Sequence, residues 1–262
     1  MSMLGAVLTL IRALPHRPAD LISRFAVTGY LLFRPDYRAE IRRNRALVHG
    51  DCPSWFWLVN AWRLGRNLAL MARIGTSQGD AIVDTARIYG DNITLQNLEQ
   101  ELHMAIVSFH FGLWEYLPQV FARRGYRIRL AVGRQRDESI HNQVHKLRRS
   151  RGVRAFYGLK QAVAAFDRPG ITGFVLDNTS QGNQRWVTGD GFRFRLPTLP
   201  FELAARKGAR VMPAFARMER GRLRIDVGRP GDEKSVVEAL LGQVRAHPEE
   251  WVFWGKAGAL CG

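Results

Sequence analysis

The fold is decided by one stretch of the chain, Ile106-Val107-Ser108-Phe109-His110-Phe111-Gly112-Leu113-Trp114-Glu115. Its apolar beginning is typical of a buried strand, and Gly112 allows a tight turn into a helix. Open α/β sheets place their chemistry at the carboxyl ends of strands, so this position favours a site at His110. Glu115 falls in the first helical turn, where we expect its carboxylate to bond one ring nitrogen of His110. The other nitrogen would then be free to take a proton from a hydroxyl as a general base.

The regions on either side of this stretch predict an alternation of strands and helices. Further strands are predicted at Ile128–Val132, Ile171–Asp177, Arg210–Phe215 and Leu223–Val227. Helices are predicted at Asp36–Ala46, Ser54–Ile74, Asn97–His103, Asp137–Arg151, Leu159–Phe166, Phe201–Lys207 and Ser235–Arg245. This order indicates an α/β fold with a mostly parallel central sheet flanked by helices. No linker-like or repeated segment divides the chain, so we expect one domain over residues 36–262, preceded by an N-terminal segment over residues 1–35.

The N-terminal segment contains two short apolar stretches. Met3–Leu14 is broken by Arg12, and Leu21–Phe33 is broken by Arg24, so neither reaches the ~18 apolar residues of a membrane-spanning helix. We expect two amphipathic helices that lie on a membrane surface, although packing on the protein's own core stays open. Three nearby tryptophans could line an apolar channel, dock on a membrane or pack in the core: Trp55, Trp57 and Trp62.

The chain is strongly basic, with a net charge of +16 in 262 residues. Ten arginines, two lysines and only two acids lie between Val120 and Lys160. This excess favours an anionic partner, which could be nucleic acid, anionic lipid or an acidic protein. No nucleic-acid-binding motif is present, so nucleic acid is not expected. Cys52 and Cys261 lack metal-ligand spacing, which indicates a reducing compartment and no metal site.

The segment Phe109–Glu115 resembles the His-x-Gly-Asn-Trp-Glu block of the bacterial lipid A biosynthesis (lauroyl/myristoyl) acyltransferases. These enzymes are glycerolipid-type acyltransferases with a His-x4-Asp/Glu motif. The resemblance extends from about Ile41 to Lys256. It implies a glycerolipid-acyltransferase-like fold and an O-acyltransferase in which His110 is the general base and Glu115 holds the ring.

Other segments match the same family and imply roles for charged side chains. Arg134 follows the second predicted strand, where the family has an arginine that could hold a phosphate or polarise a carbonyl. Asp177 matches an acidic block and would organise Arg134 or the acceptor. A basic turn would grip phosphopantetheine or a carrier protein, and its arginines are Arg148, Arg149 and Arg151.

The helix that follows His110 also offers backbone N–H groups at Gly112 and Leu113, which we expect to stabilise an oxyanion. Further matches lie in Leu196–Ala204, Arg210–Phe215 and His247–Trp254. Three positions depart from the family. Leu113 replaces Asn, Pro200 replaces Gly, and Gly255-Lys256 replaces a His-Arg-Arg group.

The resemblance therefore implies transfer of a fatty acyl group from a thioester to a hydroxyl of a membrane glycolipid or lipid A-like acceptor. The donor would be acyl carrier protein or acyl-CoA, since both are acidic and charge does not separate them. No cofactor is expected. The predicted location is the cytoplasmic face of the bacterial inner membrane, with peripheral or monotopic attachment to its anionic surface. The alternative is a catalytically weak homologue that binds anionic membrane or a carrier protein.

Overall fold

The structure is a computed structural model, and it describes residues 9–99, 103–132, 142, 148, 152–177, 184–189, 192–256 and 260–261. The helices are α1 (His16–Leu32), α2 (Pro35–His49), α3 (Phe56–Met71), α4 (Ser77–Asp84), α5 (Asn92–Glu99), α6 (Tyr116–Arg123), α7 (Leu159–Phe166), α8 (Leu199–Lys207) and α9 (Glu233–Ala246). The strands are β1 (Arg87–Tyr89), β2 (Met104–Ser108), β3 (Ile128–Val132), β4 (Arg154–Tyr157), β5 (Ile171–Val175), β6 (Gln184–Gly189), β7 (Phe192–Pro197), β8 (Arg210–Glu219), β9 (Arg222–Val227) and β10 (Leu260–Cys261). Two 3₁₀ turns follow α9, at Pro248–Glu250 and Val252–Gly255.

The centre of the fold is a seven-stranded sheet in the order β1-β9-β8-β2-β5-β3-β4. Its pairs are parallel except for the β8–β9 hairpin. All five residues of β2 are buried, as expected for a strand in the middle of a parallel sheet covered by helices. The predicted α/β fold with a mostly parallel sheet is thus confirmed.

The residues of β2 contribute to both faces of the sheet because side chains alternate along a strand. Ala105 and Val107 lie in one hydrophobic cluster, together with Trp251 and Trp254 from the 3₁₀ region. Met104 and Ile106 lie in a second cluster on the other side, which includes Leu117, Val120 and Phe121 of α6. The strand that leads to His110 is therefore fixed from both sides.

A smaller antiparallel sheet has the order β10-β7-β6. Its middle strand was not predicted from the sequence. Phe192, Phe194 and Leu196 are buried there, whereas Arg193 and Arg195 point to solvent. The predicted helix at Asn97–His103 starts too late, and its residues 100–102 lie outside the described residues. The observed helix is Asn92–Glu99, and it begins after Asp91 because that carboxylate accepts the Thr94 N–H at 2.8 Å.

The N-terminal region packs closely on α3. A Cβ atom at Gly65 would lie 2.4 Å from the Arg24 Cα, so the backbones of α1 and α3 meet at that point. Leu31 joins the main hydrophobic cluster, and Arg73 donates to the backbone oxygens of Arg12 and Leu14 at 3.0 and 2.6 Å. The predicted division after residue 35 therefore crosses a packed contact. None of the described helices is long and apolar enough to cross a bilayer.

Candidate active site

His110 and Asp177 meet because two neighbouring parallel strands end in register. Ser108, the last residue of β2, pairs with Val175, the last residue of β5. Two residues further along each chain, the Asp177 Oδ1 atom lies 2.6 Å from His110 Nδ1. The Oδ2 atom of the same carboxylate accepts the backbone N–H of His110 at 2.8 Å. Asp177 thus holds both the ring and the backbone of the histidine.

Trp251 supplies a third hydrogen bond to Asp177. Its indole N–H donates to Oδ2 at 2.8 Å. The Asp177 side chain has no exposed surface, so these donors replace its lost hydration. Trp251 is held in turn by Asn60 of α3, whose Nδ2 donates to the Trp251 oxygen at 3.0 Å. The Val252 N–H also donates to the His110 oxygen at 3.0 Å. No role was predicted for Trp251 from the sequence, although it lies in the His247–Trp254 segment that matches the family.

The environment of the imidazole suits a base with one fixed nitrogen. Because Nδ1 faces a carboxylate, we assign the ring proton to Nδ1, which leaves the Nε2 lone pair free. No described residue hydrogen-bonds Nε2. Trp114 and Phe253 pack edge-on at centroid distances of 5.0 and 4.9 Å, and 22% of the His110 side chain stays exposed. The ring is thus packed on two sides and stays partly exposed.

Glu115 does not bond His110, which corrects the expectation from the sequence. Its carboxylate instead binds Arg148 through two hydrogen bonds, from Nη2 at 2.5 Å and from Nε at 3.0 Å. Burial raises the pKa of Glu115, but the charge and hydrogen bonds of Arg148 outweigh burial, so the net shift is downward. The His110 charge also contributes to this lowering. Glu115 therefore stays ionised near the ring without holding it.

The same ion pair corrects the expected role of Arg148. Its side chain is only 11% exposed, and two of its donors are used by Glu115. Although burial lowers the pKa of Arg148, the Glu115 carboxylate outweighs it and raises that pKa. Arg148 is thus part of the site's interior and not an exposed grip for a donor. The other predicted arginines, Arg134, Arg149 and Arg151, lie outside the described residues.

The backbone N–H groups of Gly112 and Leu113 are already bonded, which corrects the predicted oxyanion donors. Gly112 donates to the Glu250 oxygen at 2.9 Å, and Leu113 donates to the Ala216 oxygen at 2.7 Å. The reason is the left-handed turn at Gly112, with φ of 57°, which presses the chain against β8. A Cβ atom at Gly112 would lie 2.2 Å from the Ala216 oxygen, so only glycine fits there.

Several arginines of the basic region between Val120 and Lys160 also bond to the protein itself. Arg123 pairs with Asp84 at 2.7 Å, and Arg124 donates to the Ala86 oxygen at 2.8 Å. Arg129 donates to two backbone oxygens, at 3.1 and 2.8 Å. These arginines therefore make contacts within the protein that stabilise the fold.

A small apolar cavity of about 30 Å³ adjoins Trp114. It lies between α6 and the strands β2, β3 and β5, and Leu117, Phe121 and Phe174 line it. This volume holds one or two small groups but not a fatty acyl chain. A larger cavity of about 250 Å³ involves Arg217, Asp226 and His247 and none of the candidate site residues.

Within the described residues, no group of three or more His, Cys, Asp and Glu side chains could hold a metal ion. Comparison with protein-family models gives no match for this chain, and neither does comparison with curated proteins. The function must therefore be inferred from the geometry at His110 and from the sequence motif around it.

Proposed function

We propose that this protein is an O-acyltransferase that moves a fatty acyl group from a thioester to a hydroxyl of a membrane lipid. The observation that carries the proposal is the His110 ring, whose Nδ1 faces Asp177 and whose side chain is 22% exposed, while no described residue hydrogen-bonds its Nε2. This arrangement supports general-base activation of a hydroxyl. The resemblance of Phe109–Glu115 to the lipid A acyltransferase block supports the choice of reaction, because a histidine with a carboxylate partner serves many others.

In the proposed reaction, His110 Nε2 takes the proton of the acceptor hydroxyl while its oxygen attacks the thioester carbonyl. Asp177 then stabilises the imidazolium and keeps the ring in place. The tetrahedral intermediate collapses to the ester, and the leaving thiolate receives the proton from Nε2. The ionised Glu115 adds a longer-range stabilisation of the imidazolium, although Arg148 partly offsets it. Direct attack needs no cofactor.

The partners follow from the same proposal. The donor is acyl carrier protein or acyl-CoA, and the acceptor is a glycolipid or lipid A-like molecule at the cytoplasmic face of the bacterial inner membrane. The bonded N–H groups of Gly112 and Leu113 favour a second candidate, which is a catalytically weak homologue that binds anionic membrane or a carrier protein. Without those donors, fewer groups would stabilise the oxyanion.

The test is acyl transfer from a radiolabelled acyl carrier protein, and separately from acyl-CoA, to total bacterial membrane lipid. The native protein should label a lipid, and His110→Ala should abolish the labelling. His103→Ala is a matched control, since the His103 ring contacts the Phe166 oxygen at 3.2 Å and belongs to no part of the site. If the native protein labels no lipid, or if His110→Ala labels as well as native, the acyltransferase proposal fails.

A further inference from the structure

The outward side of α1 and α3 carries a cluster of exposed apolar side chains, which we call the outer face. On α1 and its end these are Leu21, Ile22, Phe25, Leu32 and Phe33, and on α3 and its start they are Trp55, Leu58, Val59 and Trp62. Phe33 is 81% exposed and Phe25 is 65% exposed. Single exposed apolar residues are ordinary, but a group of large ones that includes aromatics marks an interaction surface.

The outer face is one continuous surface. The rings of Phe25 and Trp62 meet edge-on with centroids 5.4 Å apart, which joins the apolar stripe of α1 to that of α3. The two helices also pack closely at Gly65, where there is no room for a side chain between their backbones. Because both helices are fixed by packing, their apolar side chains lie on a preformed surface.

The segment that carries this surface has an excess of cations. Residues 9–74 contain eleven arginines, no lysine and four acids. The Arg24 guanidinium lies 5.1 Å from the centre of the Trp62 ring, and Arg38 lies 5.1 Å from that of Trp57. Aromatic rings and arginines side by side suit the boundary between lipid headgroups and acyl chains, where the rings enter and the cations face phosphates.

The opposite side of α3 reaches the candidate active site. The Phe56 ring contacts Trp254 at a centroid distance of 6.0 Å, and Asn60 holds the backbone of Trp251. Trp251 in turn binds Asp177. One helix therefore presents apolar side chains to the outside and, on the inside, supports the carboxylate that positions His110.

We infer that the outer face binds an anionic lipid bilayer, with α1 and α3 lying in the headgroup region. The docking surface thus includes the tryptophans of α3 and is not confined to the N-terminal segment. The purpose of this docking, access to a lipid acceptor, rests on the proposed function. The binding itself is measured without any acyl transfer.

The experiment is sedimentation of the full chain with vesicles of phosphatidylcholine alone or mixed with phosphatidylglycerol. The test variant combines Phe33→Ser, Trp55→Ser and Leu58→Ser. The matched control combines Tyr89→Ser and Trp186→Ser, two aromatic residues exposed elsewhere on the protein at 38% and 42%. Native protein should pellet with the mixed vesicles and less with neutral ones. The triple variant should bind at least about tenfold more weakly, and the control should bind like native.

Melting curves check that each variant folds, and sedimentation without vesicles gives its oligomeric state. Phe33→Ser alone, at the most exposed of these positions, should fold normally and bind about threefold more weakly. The inference is overturned if native protein does not pellet, or if folded variants pellet as well as native. It is also overturned if the triple variant only converts a dimer to a monomer, since a second copy would then cover this face. Loss of vesicle binding with full activity on detergent-dispersed acceptor supports the inference and leaves the acyltransferase proposal intact.

Discussion

Replacing Asp177 by Asn should remove the base while keeping the shape of the site. The carboxylate now accepts three hydrogen bonds, from His110 Nδ1, the His110 backbone and Trp251. An amide has one oxygen and one NH₂ group, so it cannot accept all three. If the amide oxygen takes the place of Oδ2, it accepts from the His110 backbone and from Trp251, and the NH₂ group faces His110 Nδ1. The ring then moves its proton to Nε2, and the lone pair that should take the substrate proton is lost.

The opposite orientation of the amide is less favourable because its NH₂ group would face two donors at once. We therefore expect the tautomer change, with kcat lower by ~10⁴-fold, which corresponds to about 5.5 kcal/mol. KM should change much less, since Asp177 is buried and does not face the substrate. The three hydrogen bonds to Asp177 would no longer involve a charged acceptor, so the free energy of unfolding should also fall by about 3 kcal/mol.

The assay is the initial rate of label transfer from acyl carrier protein, with unfolding in urea measured in parallel. Glu115→Gln is the matched variant, because it makes the same change of carboxylate to amide at the other acid near the ring. Its rate should fall only on the order of tenfold, the effect of about one charge interaction. The reasoning is refuted if Glu115→Gln loses more activity than Asp177→Asn, or if Asp177→Asn stays within about tenfold of native.

Two further predictions concern stability. Glu115→Ala leaves the Arg148 charge unpaired, and the side chains of Glu115 and Arg148 are only 18% and 11% exposed. The free energy of unfolding, measured by urea titration, should therefore fall by about 3 kcal/mol. The pKa of Glu115 is lowered in the folded protein, so its ionised form stabilises the fold above the unfolded pKa of about 4.3. This stabilisation is lost as the pH falls through the folded pKa. The difference in unfolding free energy between native protein and Glu115→Ala should therefore shrink in acid. Gly112→Ala should destabilise by at least about 3 kcal/mol through the contact with the Ala216 oxygen, whereas Gly242→Ala, in an open helical position of α9, should stabilise by about 0.5–1 kcal/mol. Equal melting temperatures of the two alanine variants would contradict the turn argument.

The sheet was largely predictable because its strands carry a local signal. β3 runs over Ile128–Val132 as predicted, and the predicted strand at Ile171 ends two residues earlier than expected, at Val175. The β7 strand was missed although Phe192 and Phe194 alternate with arginines, a pattern typical of a strand with one buried face.

The candidate site was less predictable because it depends on contacts between distant parts of the chain. His110 was recognisable from its own neighbours. The role of Asp177 as ring partner requires the pairing of Ser108 with Val175, which no local pattern specifies. Glu115 was expected on the ring because it is near in sequence, but the turn at Gly112 and the charge of Arg148 direct it elsewhere.

The wide spacing of His110, Asp177 and Trp251 has a consequence for the newly made protein. Asp177 follows His110 by 67 residues, and Trp251 follows Asp177 by another 74. A ribosome adds roughly 5–20 residues per second, so the indole is synthesised on the order of ten seconds after the carboxylate that it binds. During that interval β2 has been synthesised, but the Asp177 carboxylate lacks the Trp251 donor and the segment whose Phe253 packs on His110 is absent. The hydrogen bonds around His110 and Asp177 are therefore complete only after the C-terminal segment with Trp251 has been made.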